Sequence, residues 1–104
     1  MKTLEEQNKI LVNFDKTFDP MNFADCVNRA ILLLKNRQAQ INNEDNISLN
    51  INFDACRIGI EKFIEERELD ETMMSASIRY VEKAELIFEM WASSIKENNK
   101  ETIS

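Results

Sequence analysis

The sequence predicts an all-α fold, a small antiparallel bundle of three to four helices with a long C-terminal helix. Three observations carry that reading. Apolar residues recur three or four positions apart along most of the chain, the spacing that gathers them on one helical face. The 104 residues include one glycine and one proline, so tight hairpin turns that need glycine at positive φ have almost no material. Apolar residues make up 43% and charged residues 31%, the proportions of a chain that folds. The length suits one domain with one core, so a single helical domain over 1–104 is expected.

Thr3-Leu4-Glu5-Glu6 reads as a capping box, in which hydroxyl and carboxylate can each satisfy a backbone amide. Helix one is expected over about 3–17, with Leu4, Ile10, Leu11, Phe14 and Phe18 apolar and Gln7 interrupting the seam. Asp19-Pro20 is a start signal, since aspartate caps and proline fits the first turn. Helix two is expected over 20–41. Its buried stripe is Phe23, Cys26, Val27, Ala30, Ile31, Leu34 and Ile41, with Leu33 on the flank and Leu32 pointing away.

Residues 42–52 are rich in asparagine, whose side chain competes with helical hydrogen bonding, and are expected to form the main polar loop. The alternation Ile47, Leu49, Ile51 is compatible with a short extended segment, though no mate for a strand is visible. Helix three is expected over 53–68, with Phe53, Cys56, Ile60, Phe63 and Ile64 inward and Ile58 off the stripe. Gly59 in its middle costs about 1 kcal/mol relative to alanine, and close approach of another helix backbone is the expected compensation. Leu69 and Asp70 mark a turn, and Asp70 or Thr72 caps helix four, expected over 71–97 and followed by a frayed tail over 98–104.

Helix four is the most informative element. Met74, Ile78, Val81, Ala84, Phe88, Ala92 and Ile95 form one seam, while Leu86 and Met90 point away from it. The turn from Leu86 to Trp91 is thus apolar nearly all round, as a helix buried on two sides requires. Tyr80, Ile87 and Trp91, with Met73, follow one edge of the seam, and Arg79 and Lys83 flank the opposite patch as a charged rim. Aromatic and methionine-rich patches are enriched at interfaces.

Several chemistries are disfavoured by composition. Histidine is absent, which removes the commonest general base and zinc ligand. A single glycine excludes the phosphate-cradling loops of nucleotide enzymes. The carboxylates show neither the spacing nor the glycine of a calcium loop. Cys26 and Cys56 form no metal-ligand pair; they read as buried free thiols, with a disulfide between helices as the alternative. No catalytic residue, cofactor or metal is expected.

The net charge is −6, which disfavours direct nucleic-acid binding. Asp54, Glu61, Glu65, Glu66, Glu68, Asp70 and Glu71 outnumber Arg57, Lys62 and Arg67 in the same stretch, giving an acidic surface. A helix-turn-helix DNA reader is disfavoured by a second helix too long and apolar for a groove and without a basic start. No secretory signal or membrane-length apolar span is visible, which predicts a cytoplasmic protein with no membrane contact.

The stretch from Gly59-Ile60-Glu61-Lys62-Phe63-Ile64-Glu65-Glu66 through Leu69 to Ile78 resembles the helix-turn-helix segment of phage late-transcription coactivators, small proteins that bind RNA polymerase. It covers about a fifth of the chain, and the resemblance implies a polymerase as partner. The residues themselves predict a non-enzymatic interaction module, an adaptor or inhibitor of the kind phages and mobile elements encode. It would dock through Leu86, Met90, Arg79, Lys83, Tyr80, Ile87 and Trp91, with a homodimer as the cheapest cover for the second apolar face. The alternatives are an acidic charge mimic using Glu61, Glu65, Glu66, Glu68 and Asp70 to block a basic cleft, or a small chaperone or coactivator-like protein.

Overall fold

Four helices follow one another in the computed structural model, which describes residues 3–103 and the side-chain surroundings of 3–99. They are α1 (Leu4–Asp15), α2 (Phe23–Asp45), α3 (Phe53–Glu66) and α4 (Met73–Ile103). No strand occurs among the described residues.

Each helix starts where a short polar side chain takes an otherwise unpaired amide. Thr3 Oγ1 accepts from Glu6 N at 3.1 Å, Asn22 Oδ1 from Asp25 N at 2.9 Å, Asn52 Oδ1 from Ala55 N at 3.1 Å and Thr72 Oγ1 from Ser75 N at 3.1 Å. The start of α2 corrects the expectation from Asp19-Pro20. Asp19 instead forms the turn before the helix: its Oδ1 accepts from Met21 N at 2.9 Å, and its own amide donates to Asp25 Oδ2 at 2.9 Å. Both residue types can cap, and the carboxylate of Asp25 in the first turn selects the later one.

The end of α2 is a second correction. Asn42 to Asp45 are helical, and the turn comes at Asn46, which adopts the left-handed conformation at φ 52°. Asparagine tolerates this better than other side-chain-bearing residues. Asn42 is held in the helix because its side chain works elsewhere. Its Nδ2 donates to the Leu49 carbonyl at 2.9 Å, and its Oδ1 accepts from Leu49 N at 2.8 Å. Gln38 Oε1 likewise accepts from Ile51 N at 2.7 Å. The segment 46–52 is therefore a strap pinned along α2, with Leu49 and Ile51 buried and Ile47 packed on the core. Helix three ends at Glu66, short of the expected 68, and α4 continues to Ile103, through the stretch expected as a frayed tail, of which Ser104 lies outside the described residues.

The core is where α2 meets α3 and α4. Leu34 from α2, Ile60 and Ile64 from α3, and Val81, Phe88 and Ala92 from α4 are almost wholly buried. Burial of each large side chain contributes about 1.5–3 kcal/mol. Helix α2 is the centre of the arrangement, since it contacts each of the other three helices, and α3 and α4 also pack on each other. Among the described residues α1 packs on α2 alone. That joint is closed by Arg29, which pairs with Asp15 at 2.9 Å and lies over the Phe18 ring at 5.3 Å. Beneath α1 the Gln7 side chain is buried with its Oε1 unpartnered.

Candidate functional site

The core face of α4 is fixed by Val81, Phe88 and Ala92, and at 3.6 residues per turn Leu86 and Met90 must emerge on the far side. They do: Leu86 is 63% and Met90 68% exposed. Next to them round the helix, Ile87 is 44% and Trp91 51% exposed. These four side chains form one apolar strip in the middle of α4. Among the described residues no helix covers it, and α1 touches neither α3 nor α4.

A groove borders the strip. Ala84, Ile87, Phe88, Trp91 and Tyr80 line one wall, and Ile51, Asn52, Ala55 and Cys56 line the other, enclosing about 240 Å³. The Trp91 ring stacks on Phe88 at 6.1 Å between centroids, which ties the exposed aromatic to the core. A larger hollow of about 490 Å³ beside Thr72, Ser75, Arg79 and Glu82 is walled by α4's own first turns and their cap, so no second element shapes it.

Tyr80 sits at the head of the groove, chiefly as a packing residue. Its ring meets Phe63 edge-on at 5.7 Å, and its hydroxyl lies where a side chain on Gly59 would be, 2.6 Å from the position of a Cβ. The glycine thus admits a phenol rather than the helix backbone expected from the sequence. Burial, with a smaller contribution from Cys56, raises the Tyr80 pKa, and burial also raises that of Cys56. Burial does the same for Cys26, helped by Asp25 and Asp19 and opposed by Arg29. Both cysteines are free, and such thiols stay protonated at neutral pH, the state of a packing residue rather than a nucleophile.

Of the two basic residues expected at the rim, Arg79 pairs with Glu71 at 2.9 Å while exposing much of its side chain. Lys83 lies 5.3 Å from the centre of the Phe63 ring. The opposite edge of α4 is tied to α2 by Arg37, which reaches Glu89 at 2.6 Å and Glu85 at 3.6 Å. Burial raises the Glu85 pKa, opposed by Arg37 and reinforced by Glu89 and Glu82.

The acidic residues are less united than their sequence suggests. Glu65, Glu66, Glu68 and Asp70 are exposed and Glu61 is half-buried. Glu66 pairs with Arg67 at 3.7 Å, and Arg67 stacks over Phe63 at 3.5 Å, placing a cation within the cluster. Among the described residues no group of three or more acidic or cysteine side chains could hold a metal ion, and no helix is long and apolar enough to cross a membrane.

The α3 wall of the groove was not foreseen from sequence. Ala55 carries no signal of its own and Cys56 only its place on the inward stripe of α3, and the packing of α3 on α4 brings them opposite Trp91. The segment Gly59 to Ile78 forms the second half of α3, the turn and the first part of α4, and contributes Ile60, Ile64 and Ala76 to the core. No protein-family model, curated protein or solved structure matches the chain.

Proposed function

We propose that this chain is a non-enzymatic protein-interaction module that docks through the outward face of α4. The observation that carries the reading is the contiguous strip of Leu86, Ile87, Met90 and Trp91, each between 44% and 68% exposed on one rigid helix beside an apolar groove. Single exposed apolar residues are ordinary on soluble proteins, whereas a contiguous patch beside a groove marks a binding surface. A second copy of the chain is the simplest cover, because one encounter removes two such patches from water. The raised thiol pKa values and the absence of histidine support a binding role over a catalytic one, and a cytoplasmic setting accords with two free thiols.

The test is absolute mass by light scattering on a sizing column, with circular dichroism, for wild type and Leu86→Asp/Met90→Asp. A wild-type dimer that becomes a folded monomer supports the reading. A monomeric wild type whose double variant unfolds overturns it, since the strip would then be acting as core. The rival use of the chain, as an acidic mimic blocking a basic cleft, rests on the exposure of Glu65, Glu66, Glu68 and Asp70. It predicts that Glu65→Lys/Glu66→Lys abolishes partner binding while Leu86→Ala/Met90→Ala spares it, the reverse of the order expected from helix docking.

A further inference from the structure

We propose that two copies of the chain pair antiparallel along α4, with the two-fold axis crossing the helix at the level of Phe88. The proposal rests on the docking reading above and adds the occupant's orientation and register. Its basis is the order of side chains on the outward face. Arg79, Lys83, Leu86, Met90, Ser93 and Glu97 follow one another at alternating steps of four and three residues, the spacing of a coiled-coil seam. Arg79, Lys83, Leu86, Met90, Ser93 and Glu97 are all exposed. The seam is apolar in the middle, basic at one end and acidic at the other.

Symmetry selects the direction. Leu86 and Met90 lie equally far from Phe88 along the helix, and so do Lys83 and Ser93, and Arg79 and Glu97. A two-fold axis there exchanges the members of each pair, as an isologous interface requires. Leu86 then packs on Met90 of the second copy, Lys83 meets Ser93, and Arg79 meets Glu97, about 13 Å from the axis at ~1.5 Å per residue. A parallel pair would instead set Arg79 on Arg79, Lys83 on Lys83 and Glu97 on Glu97. The apolar centre supplies the attraction and the charged ends choose the orientation. Space permits the approach, since all six seam residues are exposed and, among the described residues, α1 makes no contact with α4.

The test uses Arg79→Glu and Glu97→Arg in the full chain, alone and mixed in equal amounts, with dimer dissociation measured by analytical ultracentrifugation at low salt. Each single variant places like charges against each other at both ends and is expected to weaken self-association about tenfold, near the upper range for exposed pairs counted twice. The mixture restores opposite charges at both ends and is expected to form a heterodimer as tight as wild type. Among the described residues Glu97 takes part in no ion pair, so its reversal leaves the fold intact, whereas Arg79→Glu also removes the Arg79–Glu71 pair and its fold is checked by circular dichroism. A wild-type dimer that Leu86→Asp/Met90→Asp abolishes, but that neither charge reversal weakens or whose mixture shows no recovery, overturns the register alone. A dimer indifferent to Leu86→Asp/Met90→Asp overturns the docking face as well, and a monomeric wild type overturns self-association altogether.

Discussion

Asn42 and Leu49 exchange two hydrogen bonds, 2.9 Å and 2.8 Å long, so that one side-chain amide does for the strap what a neighbouring strand would do. Asn42→Ala leaves both backbone groups of a buried residue without partners in a part-buried setting. A loss of about 1–3 kcal/mol is expected, read from the urea midpoint. Hydrogen exchange of the Leu49 amide should accelerate more than that of Ala55, whose amide is held by Asn52. Equal acceleration of both would show that the strap is not held locally.

Gly59→Ala is expected to destabilise the chain, although alanine is the better helix former by about 1 kcal/mol. The added methyl would lie 2.6 Å from Tyr80 Oη and 3.2 Å from the ring, and overpacking of this kind costs about 1–3 kcal/mol. In a Tyr80→Phe background the closest contact disappears. The same substitution should then be close to neutral, so a thermal-melt comparison of the four proteins reads the coupling directly.

Gln7→Met should raise stability by about 1 kcal/mol. The volume is nearly conserved, and a buried oxygen without a partner is removed. The gain should appear in the helical circular-dichroism signal at low denaturant, where α1, packed on α2 alone among the described residues, is expected to be the first helix lost. No gain, or a loss, would mean that the Gln7 oxygen is satisfied in solution.

Glu85 gives the fold a pH dependence of definite sign. Its folded-state pKa is raised above the ordinary 4.5, so the folded chain binds that proton more readily than the unfolded one. The contribution of this group therefore falls as pH rises from the ordinary value through the raised one, and the cost is fully present above it. Glu85→Gln should flatten that limb and leave neutral-pH stability no lower than wild type. Arg37→Gln removes the opposing cation and should steepen the limb. Urea midpoints across about pH 4 to 8 distinguish the two, and parallel curves for all three proteins would refute the assignment to Glu85.

Periodicity made the four helices and most of the core legible. Phe88, Ile60 and Leu34 could be assigned inward because each has apolar neighbours a turn away on both sides, and Leu86 and Met90 could be assigned outward by the same angular reasoning. What stayed hidden depends on contacts between elements. Asn42 reads as a helix breaker because its amide competes for nearby backbone, and nothing local reveals that Leu49 engages it instead. Asp19 and Asn22 are equally good caps in isolation, and the choice falls to Asp25, which reaches back to the Asp19 amide. Gly59 announced a close approach without saying that an aromatic ring makes it. Ala55 and Cys56 become one wall of a groove only because α3 lies against α4.

Among the described residues α1 is attached to α2 alone, and this divides the molecule into compartments of unequal permanence. Detaching α1 uncovers one side of α2 and leaves the contacts among α2, α3 and α4 in place. Amides from Leu4 to Asp15 should therefore exchange through a partial opening that the core does not feel, whereas those around Leu34 and Phe88 exchange only when everything unfolds. A single unfolding free energy then describes the three-helix remainder, and α1 has a docking equilibrium of its own. Sequence changes in its thin contact layer can set that equilibrium without touching the architecture behind it.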